Sequence, residues 1–335
     1  MRKVSQYILA VLFFALVLEI ALMEPNDVAD KTPSSHVAEH HKSRLDIKSS
    51  DVQQQMAGVH VVETNNESKE WELWAKRAIG FKAESELALQ HVKASFFAKN
   101  GLTFLVKGQT GSIVTATKNM IVNGGVVTTS SNGYIFHTDT VRYNSKERVL
   151  SSPTHVVVDG PRDAFGKHMY IQGQSMKANL RQGTVTISNH VRAQKEIRKN
   201  EDMIVRADRA KLFGKGHEVK FSGQVNIDIN GIRITGPDAL FHYKNGTDIP
   251  DSVQLTGGVK VHDVDKWATS ERLRINLAKD EFVFDGQPRV VQDNDEISGN
   301  QIVFLDGGKK VQVKNARVHV SNKTLKSHKM QNVVE

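Results

Sequence analysis

His36 and His40 stand four residues apart, the spacing that puts two imidazoles on one helical face where they could chelate a metal. They sit in a polar stretch with Pro25, Pro33 and two Ser pairs and no apolar period, so they read as solvated linker histidines. Asp293 and Asp295 could offer carboxylates to calcium, but with no Gly-anchored loop of further ligands they read as turn residues. Gly214-Lys215-Gly216, a fragment of phosphate-loop chemistry, falls in what reads as a hairpin tip. His91, His137, His155 and His242 are isolated in sequence, and no G-x-S-x-G elbow, H-E-x-x-H pair, P-loop or dinucleotide fingerprint occurs. No two carboxylates can be paired for glycoside hydrolysis. Cysteine is absent, which removes disulfides, thiolate zinc sites, cysteine nucleophiles and lipid attachment at an N-terminal cysteine. The sequence therefore reads as non-enzymatic, with no catalytic residue, no metal and no cofactor.

The elements around these residues say more. Arg2 and Lys3 precede an apolar run, Tyr7 to Met23, broken only by Glu19, and Glu24, Asp27 and Asp30 follow it. Positive charge before the run and acid after it place the N-terminus in the cytoplasm and the rest across the membrane. The run is near the lower limit of the ~17 to 25 residues that span a bilayer, and Glu19 falls near its exit face. An uncleaved single-pass anchor is expected; the rival, a cleaved signal peptide, lacks a small-residue cleavage pattern around Ala21. Residues 1–6 are then a cytoplasmic tip, 7–23 the anchor, 24–55 a polar tether and 321–335 a polar tail. The formal charge of +8 favours acidic partners without selecting one, since Lys and Arg are spread along the chain. Aromatics make up only 7% and the apolar stripe is Val and Ile, which argues against a nucleic-acid-binding sheet.

From about Met56 short Val, Ile, Thr and Phe runs alternate with polar residues and are punctuated by Gly, Asn and Asp, which is strand and turn chemistry. Trp71, Leu73 and Ala75 alternate with Glu72, Trp74 and Lys76. Phe81 to Phe97 is open between a helix and a strand over Leu87 to Phe97. A unit recurs as Val122-Asn123-Gly124-Gly125-Val126-Val127, Phe221-Ser222-Gly223-Gln224-Val225, Leu255-Thr256-Gly257-Gly258-Val259 and Phe284-Asp285-Gly286-Gln287-Pro288-Arg289-Val290. With looser copies at Ser151 to Val157 and Ile187 to Val191, the spacing is roughly 28 to 36 residues, as in stacked repeats. Each copy is followed by a second strand such as Thr138 to Tyr143, Ala207 to Leu212 or Gly236 to Phe241, so the repeat is a β-hairpin. The repeated glycines either bend each hairpin or mark turns at strand starts. Phe221, Val225 and Ile227 share a face, as do Val259 and Val261, opposite a polar face. Such hairpins must stack to hide their apolar lining, giving a sandwich or a rolled trough. Sheet edges are then available at the C-terminal end, over Gln301 to Leu305 and Lys310 to Val320, where Ile302, Phe304, Val311, Val313 and Val318 would meet an added strand.

The cationic start, anchor, tether and Trp71-x-Leu73-x-Ala75 strand, followed by Asn123-Gly124-Gly125-Val126 and Phe136 to Tyr143, resemble the LptC family over residues 1–195. Residues 200–320, with Ala207-Asp208, Phe284 to Val290 and Ile297 to Phe304, look like an LptA or OstA-like module. The chain is longer than a single-roll LptC, so a C-terminal module is fused to it, with rolls over 56–195 and 196–320. The resemblance implies an all-β, elongated, open jelly roll of stacked hairpins after one transmembrane helix. It implies a periplasmic location at the inner membrane and lipopolysaccharide as cargo. It further implies association with the permease and ATPase subunits of an ABC transporter, and edge-strand pairing with an LptA-like bridge or outer-membrane translocon roll. Trp71, Leu73, Ile121, Val126, Phe136, Val141, Val225, Ile227, Ile234, Val259 and Val261 are the residues expected to line its groove. The competing reading is a membrane-anchored β-scaffold or adhesion protein whose core simply fills itself.

Overall fold

Alternating apolar and polar residues build one continuous antiparallel ladder in the computed structural model, which describes residues 52–320 apart from 67, 82–84, 163–165, 199–200, 215–217, 244–249, 294 and 306–307. The expected anchor, most of the tether with its histidine pair, the Lys215-Gly216 tip and the polar tail lie outside the described residues. Among the described residues no helix is long and apolar enough to cross a membrane.

Each strand pairs with the next: β1 (Val52–Asn65), β2 (Ser68–Phe81), β3 (Glu86–Phe97), β4 (Thr103–Val114), β5 (Met120–Ser130) and β6 (Ile135–Asn144). The next two positions are broken strands: β7 (Val149–Ser152) with β8 (Val156–Asp159), then β9 (Tyr170–Gly173) with β10 (Ser175–Asn179). Long strands resume with β11 (Thr184–Arg198), β12 (Glu201–Phe213), β13 (Glu218–Ile229), β14 (Ile232–Tyr243), β15 (Pro250–His262) and β16 (Lys266–Asn276). Three broken positions end the sheet: β17 (Glu281–Asp285) with β18 (Arg289–Gln292), β19 (Asp295–Ser298) with β20 (Gln301–Leu305), and β21 (Lys310–Lys314) with β22 (Arg317–His319). The stretch left open between helix and strand is β3. Among the described residues the sheet does not close: β1 is unpaired along one side, and so are β21 and β22.

The repeated glycines sit at bulges in mid-strand. Gly223 (φ 81°) and Gln224 (φ 47°) interrupt the pairing of β13 with β12 and β14 between Ser222 and Val225. Gly257 (φ 91°) and Gly258 (φ 92°) do the same in β15. Left-handed backbone is cheap only for glycine, so these positions set where the sheet bends. β11 makes the same bulge without glycine, through Asn189 (φ 65°) and His190 (φ 54°). Repeated on every second strand position, the bulge divides the sheet into two arms. One arm carries the turns at 98–102 and 131–134, the other those at 145–148 and 180–183.

The arms fold onto each other over an apolar core. Phe96 of the first arm meets Tyr143 of the second at a ring separation of 4.5 Å, and the Tyr243 hydroxyl donates to Met169 Sδ at 3.3 Å. The core runs without interruption from Trp71 to Ile302, and the β11–β12 pairing carries the ladder across residues 195–201, so the two rolls share one sheet.

Candidate functional site

The bulge rule decides which side chains enter the space between the arms. Trp71, Leu73, Val126, Phe136, Val141, Val225, Ile227, Ile234, Val259 and Val261 all point inward and none exceeds 9% exposure. Ile121 does not: it is 37% exposed on the outer face, paired with Ser112 and Arg142, while Met120 and Val122 take the inward places. Counting back from Val126 through the two-glycine bulge preserves even parity on β5, which puts every odd residue outside.

The expected edge strand also needs correction. β20, with Ile302 and Phe304, is flanked on both sides by β17 and β21, and Ile302 is fully buried. The unpaired side belongs to β21 and β22, where Val311 and Val318 are 46% and 62% exposed while Val313 packs on the core.

A seam closes the arms against each other beside β3. Lys99 N donates to Leu180 O at 2.9 Å, and Arg148 Nη2 to Phe97 O at 2.7 Å. Arg148 Nη1 also lies 3.3 Å from Glu70 Oε1, which accepts from Asn65 Nδ2 at 3.2 Å. With both partners of the pair close to nine-tenths buried, the ion pair ties the arms in a site poor in water. Nothing in sequence marks Glu70 or Arg148, since their meeting depends on how the arms fold. Burial first, and then the Glu70 carboxylate, push the Tyr143 phenol beside them above its ordinary 10.0. The folded phenol keeps its proton where the unfolded one ionises, so its contribution to stability is complete below about pH 10 and is lost as pH rises through the raised value. Denaturant titrations on the alkaline side are expected to show this loss in the wild type and a flatter profile in Tyr143→Phe; equal slopes would refute it.

Next to the seam the arms part and leave a cleft of about 340 Å³. Leu102, Phe104, Tyr134 and Phe136 line it from the first arm and Val185, Leu212, Val219 and Tyr243 from the second, with the exposed Arg162 also on its wall. The volume is at the lower end of the about 300 to 1,000 Å³ usual for small-molecule sites, and the apolar side chains share the walls with Ser130, Asn132 and Glu218, so an alkyl chain bearing a polar head fits the mixed lining. Of the residues expected from sequence to line a groove, only Phe136 reaches the cleft. The rest, Ile121 apart, fill the space between the arms. Tyr243 and Leu212 were missed because only the fold brings them opposite Phe136. Among the described residues no group of three or more His, Cys, Asp or Glu could hold a metal.

A family model described as lipopolysaccharide-assembly, LptC-related matches residues 9–196. The chain belongs to the LptC-related family. A second model, the LptA or LptD N-terminal-domain lipopolysaccharide transport protein, matches residues 204–306, so this LptC-related chain carries an LptA-like C-terminal extension. A search of the curated proteins found no match. Among solved structures the chain is similar to LptH of Pseudomonas aeruginosa, described as the LptA-homologous periplasmic component of the lipopolysaccharide transport device. The identity is 17%, over 36% of this chain and 94% of that one, with a TM-score of 0.32. The cleft draws its walls from both matched segments: Leu102 to Val185 lie in the LptC-related part, Leu212 to Tyr243 in the LptA-like part.

Proposed function

We propose that this LptC-related protein receives lipopolysaccharide from an inner-membrane ABC transporter and passes it toward the outer membrane, with the acyl chains held between the two arms. The observation that carries the reading is the uninterrupted apolar lining, which runs from the LptC-related part into the LptA-like part with a cleft where the two meet. Burial of methylenes is worth about 0.8 kcal/mol each and has no preferred direction, so such a lining holds a chain while leaving it free to slide. The aliphatic side chains pack against one another between the arms, and acyl chains enter as the arms part. The anchor at residues 7–23 holds the protein at the inner membrane beside the permease and ATPase subunits, with the bulk of the chain periplasmic. The free sides of β21 and β22, with exposed Val311 and Val318, pair with the strand of a bridge or translocon roll. The role is that of a conduit and not of an enzyme.

The seam favours a second reading, a scaffold that moves no lipid, because it shuts the arms together beside β3. Photo-crosslinkers separate the two. Placed at Val225 or Ile227 they are expected to capture lipopolysaccharide in cells, and placed at the outward Gln224 they are not. Capture at Gln224 alone would reverse the lining; capture at none of the three would leave the scaffold.

A further inference from the structure

The outer face of the first arm is built differently from the outer face of the second. A row of directly paired residues crosses it: His60 on β1, Trp74 on β2, Lys93 on β3, Lys107 on β4 and Val127 on β5. Lys93 and Lys107 stand opposite each other, an arrangement that costs stability in a sheet. Neither has an acidic partner among the described residues. The indole of Trp74 faces Lys93, whose Nζ lies 4.8 Å from the ring centre, while His60 stacks on Trp74 at 5.0 Å. One pair further along the same strands come Val62, Glu72, Ser95 and Leu105, with Val62 40% exposed and the Glu72 carboxylate paired with Lys69. The second arm's outer face over the same strands carries Arg77, Gln90, Thr110 and Asn123 in register, with Ile79 and Ile121 in a neighbouring row and no aromatic side chain among the described residues.

An indole and aliphatic groups among unpaired lysines form the combination that settles at the boundary between lipid headgroups and acyl chains. The face is also next to the membrane end of the chain in sequence, since β1 begins about 28 residues after the apolar segment 7–23, within a reach of roughly 90 Å. We infer that this face docks on the anionic surface of the bilayer that holds the anchor, with Trp74 at the headgroup boundary and Lys93 and Lys107 on lipid phosphates. The inference rests on the anchor proposed above and is independent of what passes between the arms. Docking would hold the roll beside the membrane while its inner lining stays available to cargo.

The full chain in nanodiscs whose acyl chains carry bromine tests this through quenching of tryptophan fluorescence. With phosphatidylglycerol present, quenching is expected in the wild type and lost in Trp74→Phe. Each lysine replaced at Lys93 or Lys107 should weaken docking about fivefold, so K93E/K107E needs far more anionic lipid for equal quenching. Quenching unchanged in Trp74→Phe, or equal in purely zwitterionic discs, would overturn the docking surface. So would a Trp74 that responds only to added transporter subunits, which would make the face a protein contact. Retention of the chain in the discs, read by size exclusion, scores the anchor separately. Lipopolysaccharide capture at Val225 in K93E/K107E scores the conduit.

Discussion

Trp71→Ala is expected to lower the unfolding free energy by about 4 kcal/mol, within the range for truncating a large aromatic that the core cannot refill. The Trp71 side chain is fully buried, paired with Phe96 across β2 and β3 and continuous with the core that joins the arms. Trp71→Phe isolates the cause. The indole N–H has no hydrogen-bond partner among the described residues, so phenylalanine removes an unsatisfied donor while keeping most of the volume. That variant should stay within about 1 kcal/mol of wild type. Denaturant unfolding followed by circular dichroism reads both, and an alanine variant as stable as the phenylalanine one would show that the site relaxes around the loss.

Arg148→Met is expected to cost about 3 kcal/mol, because it strands the largely buried Glu70 carboxylate with only Asn65 donating to it and removes the donor to Phe97 O. Adding Glu70→Gln should return much of that loss, since the residual penalty is a buried unpaired charge and not missing packing. A double variant no more stable than the single would place the cost in packing. Loosening the seam also bears on transport. If the arms part to admit acyl chains, Arg148→Met should raise lipopolysaccharide capture at Phe136, on the cleft wall, without changing the near-absence of capture at Gln224.

Most of the strands were legible because side-chain alternation and turn residues are local properties of the chain, while the stretch that forms β3 stayed open between helix and strand. The hairpin repeat carried the bulges as well, in Gly223-Gln224 and Gly257-Gly258, although sequence left open whether such glycines bend a strand or start one. β11 shows why the pattern is incomplete: Asn189 and His190 adopt the same left-handed backbone with no glycine to announce it. Ile121 failed for a related reason. A bulge adds a residue to one strand and not to its neighbour, so facing on β5 depends on counting through Gly124 and Gly125, and the count is settled only by pairing with β4 and β6.

By itself the sequence determined an all-β chain of stacked hairpins with one apolar face, the inward places of residues such as Leu73, Val225 and Ile234, and a resemblance that the family models share. Only the tertiary structure decided that Arg148 meets Glu70, that β20 is covered while, among the described residues, β21 and β22 have an unpaired side, and that Phe136 faces Leu212 and Tyr243 across a cleft. The division follows from distance along the chain. Alternation acts over a few residues and is written in composition. Closure of the arms joins residues as far apart as Glu70 and Arg148, and its outcome depends on every bulge between them.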